Sequence, residues 1–251
     1  MSWSSPPSDP SRARVRELSL KGPAGRLSAR LVAAPCPILR AVVAHPHPLY
    51  GGTMDNTVVQ AVVGRLAAAG AAVLIFDFRG VRESEGRHDG GAGEQLDLLA
   101  AERELEGRFP DLPHWLAGYS FGAFVALART AGGEAPAADA LVALAPPLAH
   151  REVPAPGAGA PPIALVTGEL DPLTPQAATR GFVSALATLA VHEVVPGAGH
   201  DLNATPSPGA TALEAALERA IDALLRATGE PGRAAGAAAD RDQLSRASRL
   251  P

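Results

Sequence analysis

The segment Gly-Tyr-Ser-Phe-Gly at residues 118–122 constrains the fold of this chain more than any other feature. An apolar run typical of a buried strand precedes it at residues 113–117, and small and apolar residues typical of a helix follow at 123–128. The pattern predicts a strand, a sharp turn and a helix, with Ser120 at the apex of the turn. A hydroxyl there lies at a helix N-terminus, where backbone N–H groups stabilise negative charge. The flanking glycines fit a turn that has no room for Cβ atoms.

The composition bounds the class of protein. The chain has 251 residues, of which 47% are hydrophobic and 19% charged, enough for one α/β domain with a sizeable core. A net charge of −4 without a basic stripe argues against nucleic acid as a partner. No apolar run reaches the roughly 20 residues of a membrane span, and residues 1–9 lack the apolar region of a secretory signal. Since Cys36 is the only cysteine and cannot form an internal disulfide, we expect a cytoplasmic protein.

Apolar runs bounded by turn residues predict about eight strands, and amphipathic stripes predict the helices between them. Strands are predicted at residues 15–20, 27–32, 38–44, 72–78, 113–117, 140–145, 163–167 and 190–195. Helices are predicted at 58–66 after Asp55 or Asn56 as N-cap, at 94–109, at 123–128, from Pro175 after Thr174 as N-cap, and at 211–227. The first two strands read as a hairpin. Such alternation predicts an α/β fold whose mainly parallel sheet has helices on both faces.

The predicted domain covers residues 13–228. Residues 1–12 are predicted to be a flexible N-terminus, because they are rich in Ser and Pro. Residues 229–251 are predicted to be a disordered tail, because their Gly, Ala, Arg and Asp residues offer no apolar face.

Five polar residues lie at or just after the ends of predicted strands: His45, Asp77, Ser120, Asp171 and His200. Ligand sites in parallel sheets lie at the carboxyl ends of the strands. We therefore expect these side chains to share one edge of the sheet.

A serine is a poor nucleophile unless a base lies beside it and a third group orients that base. Asp171 lies in the turn after the strand at 163–167, and His200 follows the next strand. Glu169 competes with Asp171 for the role of the acid. A carboxylate after the strand at 140–145 would be another candidate, but that strand is followed by two prolines with no acid nearby, so this alternative position is empty. His88 and His150 lie in predicted loops and are predicted to be solvated. His192, inside a strand, is predicted to be packed or half-exposed, and His114 lies at the far end of the strand that leads to Ser120.

The chain order Ser120, Asp171, His200 is the order of α/β-hydrolases, and over nearly the whole ordered chain the sequence resembles that superfamily. The resemblance implies an α/β-hydrolase fold and a Ser-His-Asp triad of these three residues.

Two further motifs narrow the resemblance. Residues 45–56, His-Pro-His-Pro-Leu-Tyr-Gly-Gly-Thr-Met-Asp-Asn, and residues 76–81, Phe-Asp-Phe-Arg-Gly-Val, resemble a bacterial group of small hydrolases similar to dienelactone hydrolases and short esterases. The loop of that group usually continues Gly-Val-Gly-x-Ser. Here Arg82 stands in place of the second glycine.

The resemblance also implies an oxyanion hole. Its first donor is the N–H of Phe121, directly after the serine, and its second comes from the loop after the strand at 38–44. The two prolines of that loop have no N–H. The usual pattern of this loop favours His47 as the second donor, with Leu49 and Tyr50 as alternatives.

The polar residues of the loops after the strands at 38–44 and 72–78 also have interpretations other than catalysis. His45 and His47 could clip a metal ion, but no third ligand lies at a suggestive spacing. Asp77 and Arg79 are predicted to form a structural salt link rather than substrate contacts. Residues 83–85 are predicted to be a solvated loop.

The connection at residues 148–162 is too short for a lid domain, so the pocket is expected to be open. Its apolar rim is predicted from five residues: Leu49, Tyr50, Phe121, Leu173 and Leu202. The sequence thus predicts a serine hydrolase, carboxylesterase-like or thioesterase-like, acting on a small acyl substrate with no cofactor or metal and no membrane partner. A peptidase or amidase with the same triad, and a non-catalytic binding module on the same fold, are the alternatives.

Overall fold

The structure, a computed structural model, describes residues 13–133, 137–203 and 211–229. The predicted flexible N-terminus and, apart from Gly229, the predicted disordered tail lie outside these residues. The strands are β1 (Arg14–Gly22), β2 (Gly25–Ala33), β3 (Leu39–Ala44), β4 (Ala71–Phe76), β5 (His114–Tyr119), β6 (Ala140–Leu144), β7 (Ile163–Gly168) and β8 (Leu189–Val195). The helices are α1 (Thr57–Ala68), α2 (Ala92–Arg108), α3 (Phe121–Ala131), α4 (Gln176–Ala185) and α5 (Ala212–Thr228).

The eight strands form one sheet in the order β1-β2-β4-β3-β5-β6-β7-β8. β1 and β2 form an antiparallel hairpin, β2 is antiparallel to β4, and all other neighbours are parallel. Every residue of β3 to β7 is buried, because helices cover both faces. The prediction of a mainly parallel sheet of about eight strands is confirmed.

The core lies in two layers, one on each face of the sheet. On one face α1 and α5 pack through residues such as Val59 and Leu217. On the other face α2, α3 and α4 pack through residues such as Leu98, Val125 and Phe182. The segments that follow the carboxyl ends of the parallel strands carry the polar residues picked out in the sequence.

Residues 145–162, between β6 and β7, hold no helix or strand. The prediction that this connection lacks a lid domain is confirmed. None of the described helices has both the length and the apolar content that a membrane span requires.

The predicted start of α4 is wrong by one position. Pro175 is the N-cap residue, and the hydroxyl of Thr174 donates instead to the carbonyl of Pro146 at 3.0 Å. Of the two candidate caps of α1, Asn56 is the one used, and its side chain accepts from the N–H of Val58 at 3.0 Å. The other candidate, Asp55, instead forms ion pairs with Arg30 and Arg82.

A buried charged cluster joins α2 to α3, at the opposite edge of the sheet from Ser120. Glu102 is fully buried and lies 3.1 Å from the Nε of Arg129, while the ring of His114 lies 3.7 Å from its other oxygen. Burial lowers the pKa of His114 to about 4, so this ring is neutral at pH 7. Burial raises the pKa of Glu102 to about 7, although the charge of Arg129 opposes that rise.

The raised pKa of Glu102 predicts a pH dependence of stability. The folded protein holds a proton on Glu102 up to about pH 7, whereas the unfolded chain releases it near the ordinary value of 4.5. The contribution of Glu102 to the free energy of unfolding should therefore fall as pH rises from about 4.5 to about 7. Urea unfolding of the unsubstituted protein and of Glu102→Gln between pH 5 and 8 checks this.

The unsubstituted protein should lose stability relative to Glu102→Gln across that range. Glu104→Gln, on the same helix, serves as the matched control: because it keeps Glu102, the difference between its stability and that of the unsubstituted protein should stay constant with pH. A difference between the unsubstituted protein and Glu102→Gln that stays constant with pH contradicts the prediction.

Candidate active site

Ser120 occupies a sharp turn between β5 and α3, as the sequence predicts. Its backbone lies in a rarely populated conformation, with φ 54° and ψ −115°, and its N–H is held by the carbonyl of Leu144 at 2.8 Å. A Cβ atom at Gly118 would collide with the carbonyl of Gly122, and one at Gly122 would collide with the carbonyl of Ala44. The glycines on both sides of the serine are therefore required sterically.

Ser120, His200 and Asp171 form one chain of hydrogen bonds. The Nε2 of His200 lies 2.8 Å from the Oγ of Ser120, and its Nδ1 lies 2.8 Å from the Oδ2 of Asp171. A carboxylate can only accept, so the imidazole proton sits on Nδ1 and Nε2 is left to accept from the serine hydroxyl. In this tautomer the imidazole can act as a base toward Ser120.

Asp171 is buried and ionised. Burial opposes its charge, but the hydrogen bond and charge of His200 and the N–H of Leu173 at 2.8 Å outweigh this. The pKa of the Asp171 carboxyl consequently lies below its ordinary value.

Glu169, the competing acid, does not reach the histidine. It is exposed and accepts the N–H of Gly197 at 2.7 Å. The neighbouring N–H of Leu170 donates to Ala198 at 2.8 Å, so the turn that carries Asp171 is fastened to the loop that carries His200.

Tyr119 supports the histidine and was missed by sequence reasoning. Its hydroxyl donates to the backbone carbonyl of His200 at 2.8 Å, and the two rings lie 5.4 Å apart. The only signal was its place directly before Ser120, a position that the Gly-x-Ser-x-Gly pattern leaves open.

The loop after β3 lies against the start of α3. The rings of His47 and Phe121 are 4.8 Å apart. The N–H of Leu49 donates to the Nδ1 of His47 at 3.2 Å, and the N–H of Tyr50 donates to the carbonyl of His47 at 3.1 Å. Within the described residues, the N–H groups of His47 and Phe121 have no acceptor. Of the three residues weighed as second donor, only His47 thus keeps its N–H available.

His45 has a structural part and is unavailable as a metal ligand. Its ring is fully buried, with Nδ1 donating to the carbonyl of Pro46 at 2.6 Å and Nε2 accepting from the N–H of Phe78 at 3.0 Å. Burial lowers its pKa to about 4, which keeps the ring neutral. The alternative of a His45–His47 metal clip is wrong, because both nitrogens of His45 are occupied.

The predicted apolar rim is partly wrong. Leu49 and Tyr50 are 71% and 86% exposed, and Leu173 is half-buried beside Asp171. Phe121 and Leu202, however, have 1% and 0% exposure and belong to the two core layers. Their side chains cannot form an accessible rim.

Two predictions about the polar residues after β4 also need correction. Asp77 and Arg79 both form ion pairs but not with each other: Arg79 pairs with Asp97 at 2.8 Å, and Asp77 pairs with Arg82 at 2.7 Å. Ser84 is not solvated, since it is buried and donates to the carbonyl of Asp77 at 2.7 Å.

His88 is another residue wrongly predicted to be solvated. Its Nδ1 lies 2.8 Å from the buried carboxyl of Glu94, and its ring lies 4.8 Å from that of His47. His88 and Glu94 therefore lie beside His47, although the sequence did not point to either of them as part of the site.

Comparison with known proteins agrees with this fold. A family model described as "Serine aminopeptidase, S33" matches residues 40–161, and one described as "TAP-like protein" matches residues 142–233. An uncharacterized protein of Rickettsia prowazekii is 40% identical over 113 residues, which are 44% of this chain and 48% of that protein. The match thus spans about half the length of that curated relative.

Solved structures match over most of the chain. An α/β serine hydrolase homologue from Coxiella burnetii is 30% identical with a TM-score of 0.70, over 81% of this chain and 96% of that one. An α/β serine hydrolase without a lid from Xanthomonas campestris is 28% identical with a TM-score of 0.72, over 86% of this chain and 97% of that one. The chain therefore belongs to the α/β-hydrolase superfamily.

Proposed function

We propose that this protein is a serine hydrolase that cleaves a carboxylic ester or thioester through an acyl-enzyme on Ser120. The observation that carries the proposal is the continuous chain of hydrogen bonds from Ser120 through His200 to Asp171, with 2.8 Å at each link. This is the geometry of an activated nucleophile, a base and an orienting acid.

The proposed reaction has two halves. The Oγ of Ser120 attacks the acyl carbon while its proton passes to the Nε2 of His200, and the same proton then leaves with the alcohol or thiol. Water attacks the acyl-enzyme in the second half, giving its proton to the Nε2 of His200. The C–Oγ bond then breaks, the acid departs, and His200 returns the proton to the Oγ of Ser120. Asp171 stabilises the imidazolium that forms in each half.

The N–H groups of Phe121 and His47 are the proposed oxyanion donors. Both are free of other acceptors within the described chain, and their rings are in contact. A donor aimed at the oxyanion contributes about 3 kcal/mol to transition-state stabilisation.

The proposed substrate is a small or accessible acyl compound. The absence of helix and strand from residues 145–162 leaves no lid domain over the described site, and Leu49 and Tyr50 stand exposed on the neighbouring loop. The second candidate is a peptidase or amidase, because the triad is the same and one matching family is described as a serine aminopeptidase.

A fluorophosphonate probe and a substrate panel test the proposal. The probe should form an adduct on Ser120, and esters or thioesters of short acyl chains should turn over while peptides with free N-termini do not. Peptide turnover without ester turnover would favour the peptidase. No adduct on Ser120, under conditions that label ordinary serine hydrolases, would favour a binding module.

A further inference from the structure

Arg82 has a backbone conformation that its side chain does not favour. Its φ is 49°, in the left-handed region where a Cβ atom is costly. It is also the residue that replaces the second glycine of the resembling loop. A residue other than glycine keeps such a conformation only when its surroundings impose it.

The contacts of the Arg82 guanidinium supply that constraint. Its Nε lies 2.7 Å from the Oδ2 of Asp77 and its NH2 3.0 Å from the Oδ1, a two-point pair, while its NH1 contacts Asp55. Asp77 is fully buried, and Arg82 is the cation that pairs with it there. Arg82 itself is 40% exposed along its side chain.

Both carboxylates hold the segment at residues 45–56, here called the oxyanion loop because it carries His47. The Oδ1 of Asp77 also accepts the N–H of Met54 at 2.8 Å, and Asp55 lies in the loop itself. The first residue of the loop, His45, is fastened by the N–H of Phe78 at 3.0 Å. The loop is thus held at its start by His45 and near its end by Arg82, which contacts both aspartates, while Arg30 is a second partner of Asp55 at 2.7 Å.

We infer that Arg82 is a positioning residue for the proposed hydrolysis: by holding Asp77 and Asp55 it fixes the oxyanion loop and so the direction of the His47 N–H. This rests on the proposed function. Arg82 touches no reacting atom. Its effect should appear in the stabilisation of the oxyanion and not in the binding of the ester, because substrate binding does not depend on an accurately aimed N–H.

The test compares Arg82→Gln and Arg82→Gly with Arg26→Gln. Arg82→Gln removes the charge. Arg82→Gly also removes the charge, but it favours folding because glycine adopts a positive φ without strain. Arg26 is the matched control, since it is an exposed arginine whose partner, Glu85, lies in the same β4–α2 connection but contacts neither aspartate. Steady-state kinetics use a short-chain p-nitrophenyl ester.

Both Arg82 variants should lose about 10- to 100-fold in kcat with KM changed less than about threefold, as expected when a reacting geometry is loosened. A trifluoromethyl ketone, which forms an oxyanion adduct with a nucleophilic serine, should weaken by the same factor as kcat/KM. Arg26→Gln should leave kcat, KM and the affinity for the trifluoromethyl ketone within about twofold of the values of the unsubstituted protein.

A kcat within about threefold of the unsubstituted protein in either folded Arg82 variant overturns the inference. So does a rise in KM with unchanged kcat, or an equal loss in Arg26→Gln. No ester turnover by the unsubstituted protein overturns the proposed function, and this inference with it, whereas turnover that is indifferent to Arg82 overturns the inference alone.

Discussion

Replacing Ser120 with alanine is expected to lower kcat for ester hydrolysis by about 10⁴- to 10⁶-fold, with KM within about threefold of the unsubstituted value. The Oγ of Ser120 is the atom proposed to form the acyl-enzyme, and among the described residues it is the hydroxyl that lies within hydrogen-bond distance of the His200 ring. Any residual rate would come from substrate binding and from the oxyanion donors, which the substitution leaves in place.

Steady-state kinetics with the fluorophosphonate probe check this prediction. Ser184→Ala is the matched control, because Ser184 is an exposed serine on α4 whose hydroxyl bonds only within its own helix. It should keep full activity and labelling. If Ser120→Ala retained more than about one-hundredth of the turnover, or still took up the probe at the active site, Ser120 would not be the nucleophile.

The sequence predicted those parts of the molecule that depend on local pattern. The buried strands, the glycines around Ser120 and the positions of Asp171 and His200 after β7 and β8 all follow from runs and spacings of a few residues. Because parallel strands end at one edge of the sheet, these local patterns were sufficient to expect that the three side chains share an edge.

Contacts between loops from different strands could not be predicted in this way. Arg82 and Asp55 are separated by 27 positions, and Tyr119 and His200 by 81, so each pairing depends on how the folded loops approach each other. Leu202 shows the same limit, since it is predicted at the rim of the pocket but lies buried in the core, with a left-handed φ of 55°.

The structure also explains why the sequence alone left three candidates for the second oxyanion donor. From the sequence, His47, Leu49 and Tyr50 all offer an N–H at nearly the same place. A single turn of 3₁₀ helix at Pro48–Tyr50 engages the N–H groups of Leu49 and Tyr50 with His47. Such a choice depends on backbone hydrogen bonds that composition does not reveal.

Asp171→Asn is expected to lower kcat by about 10⁴-fold at neutral pH, with little change in KM. The carboxylate accepts from the Nδ1 of His200 at 2.8 Å and from the N–H of Leu173 at 2.8 Å. An amide of the same shape keeps the packing but can present an N–H to Nδ1. The imidazole then carries its proton on Nε2, where it faces the Ser120 hydroxyl and cannot act as a base.

Two matched substitutions separate the role of Asp171 from general loss of negative charge near the histidine. Asp201→Asn changes the residue next to His200, an acid that accepts the N–H of Asn203 at 3.2 Å. Glu169→Gln changes the competing acid, which lies in the same turn as Asp171. Both should keep kcat within about threefold, because neither carboxylate lies against the imidazole. Loss of turnover in Glu169→Gln, with activity retained in Asp171→Asn, would assign the orienting acid to Glu169 and show that the hydrogen bond between Asp171 and His200 does not set the tautomer.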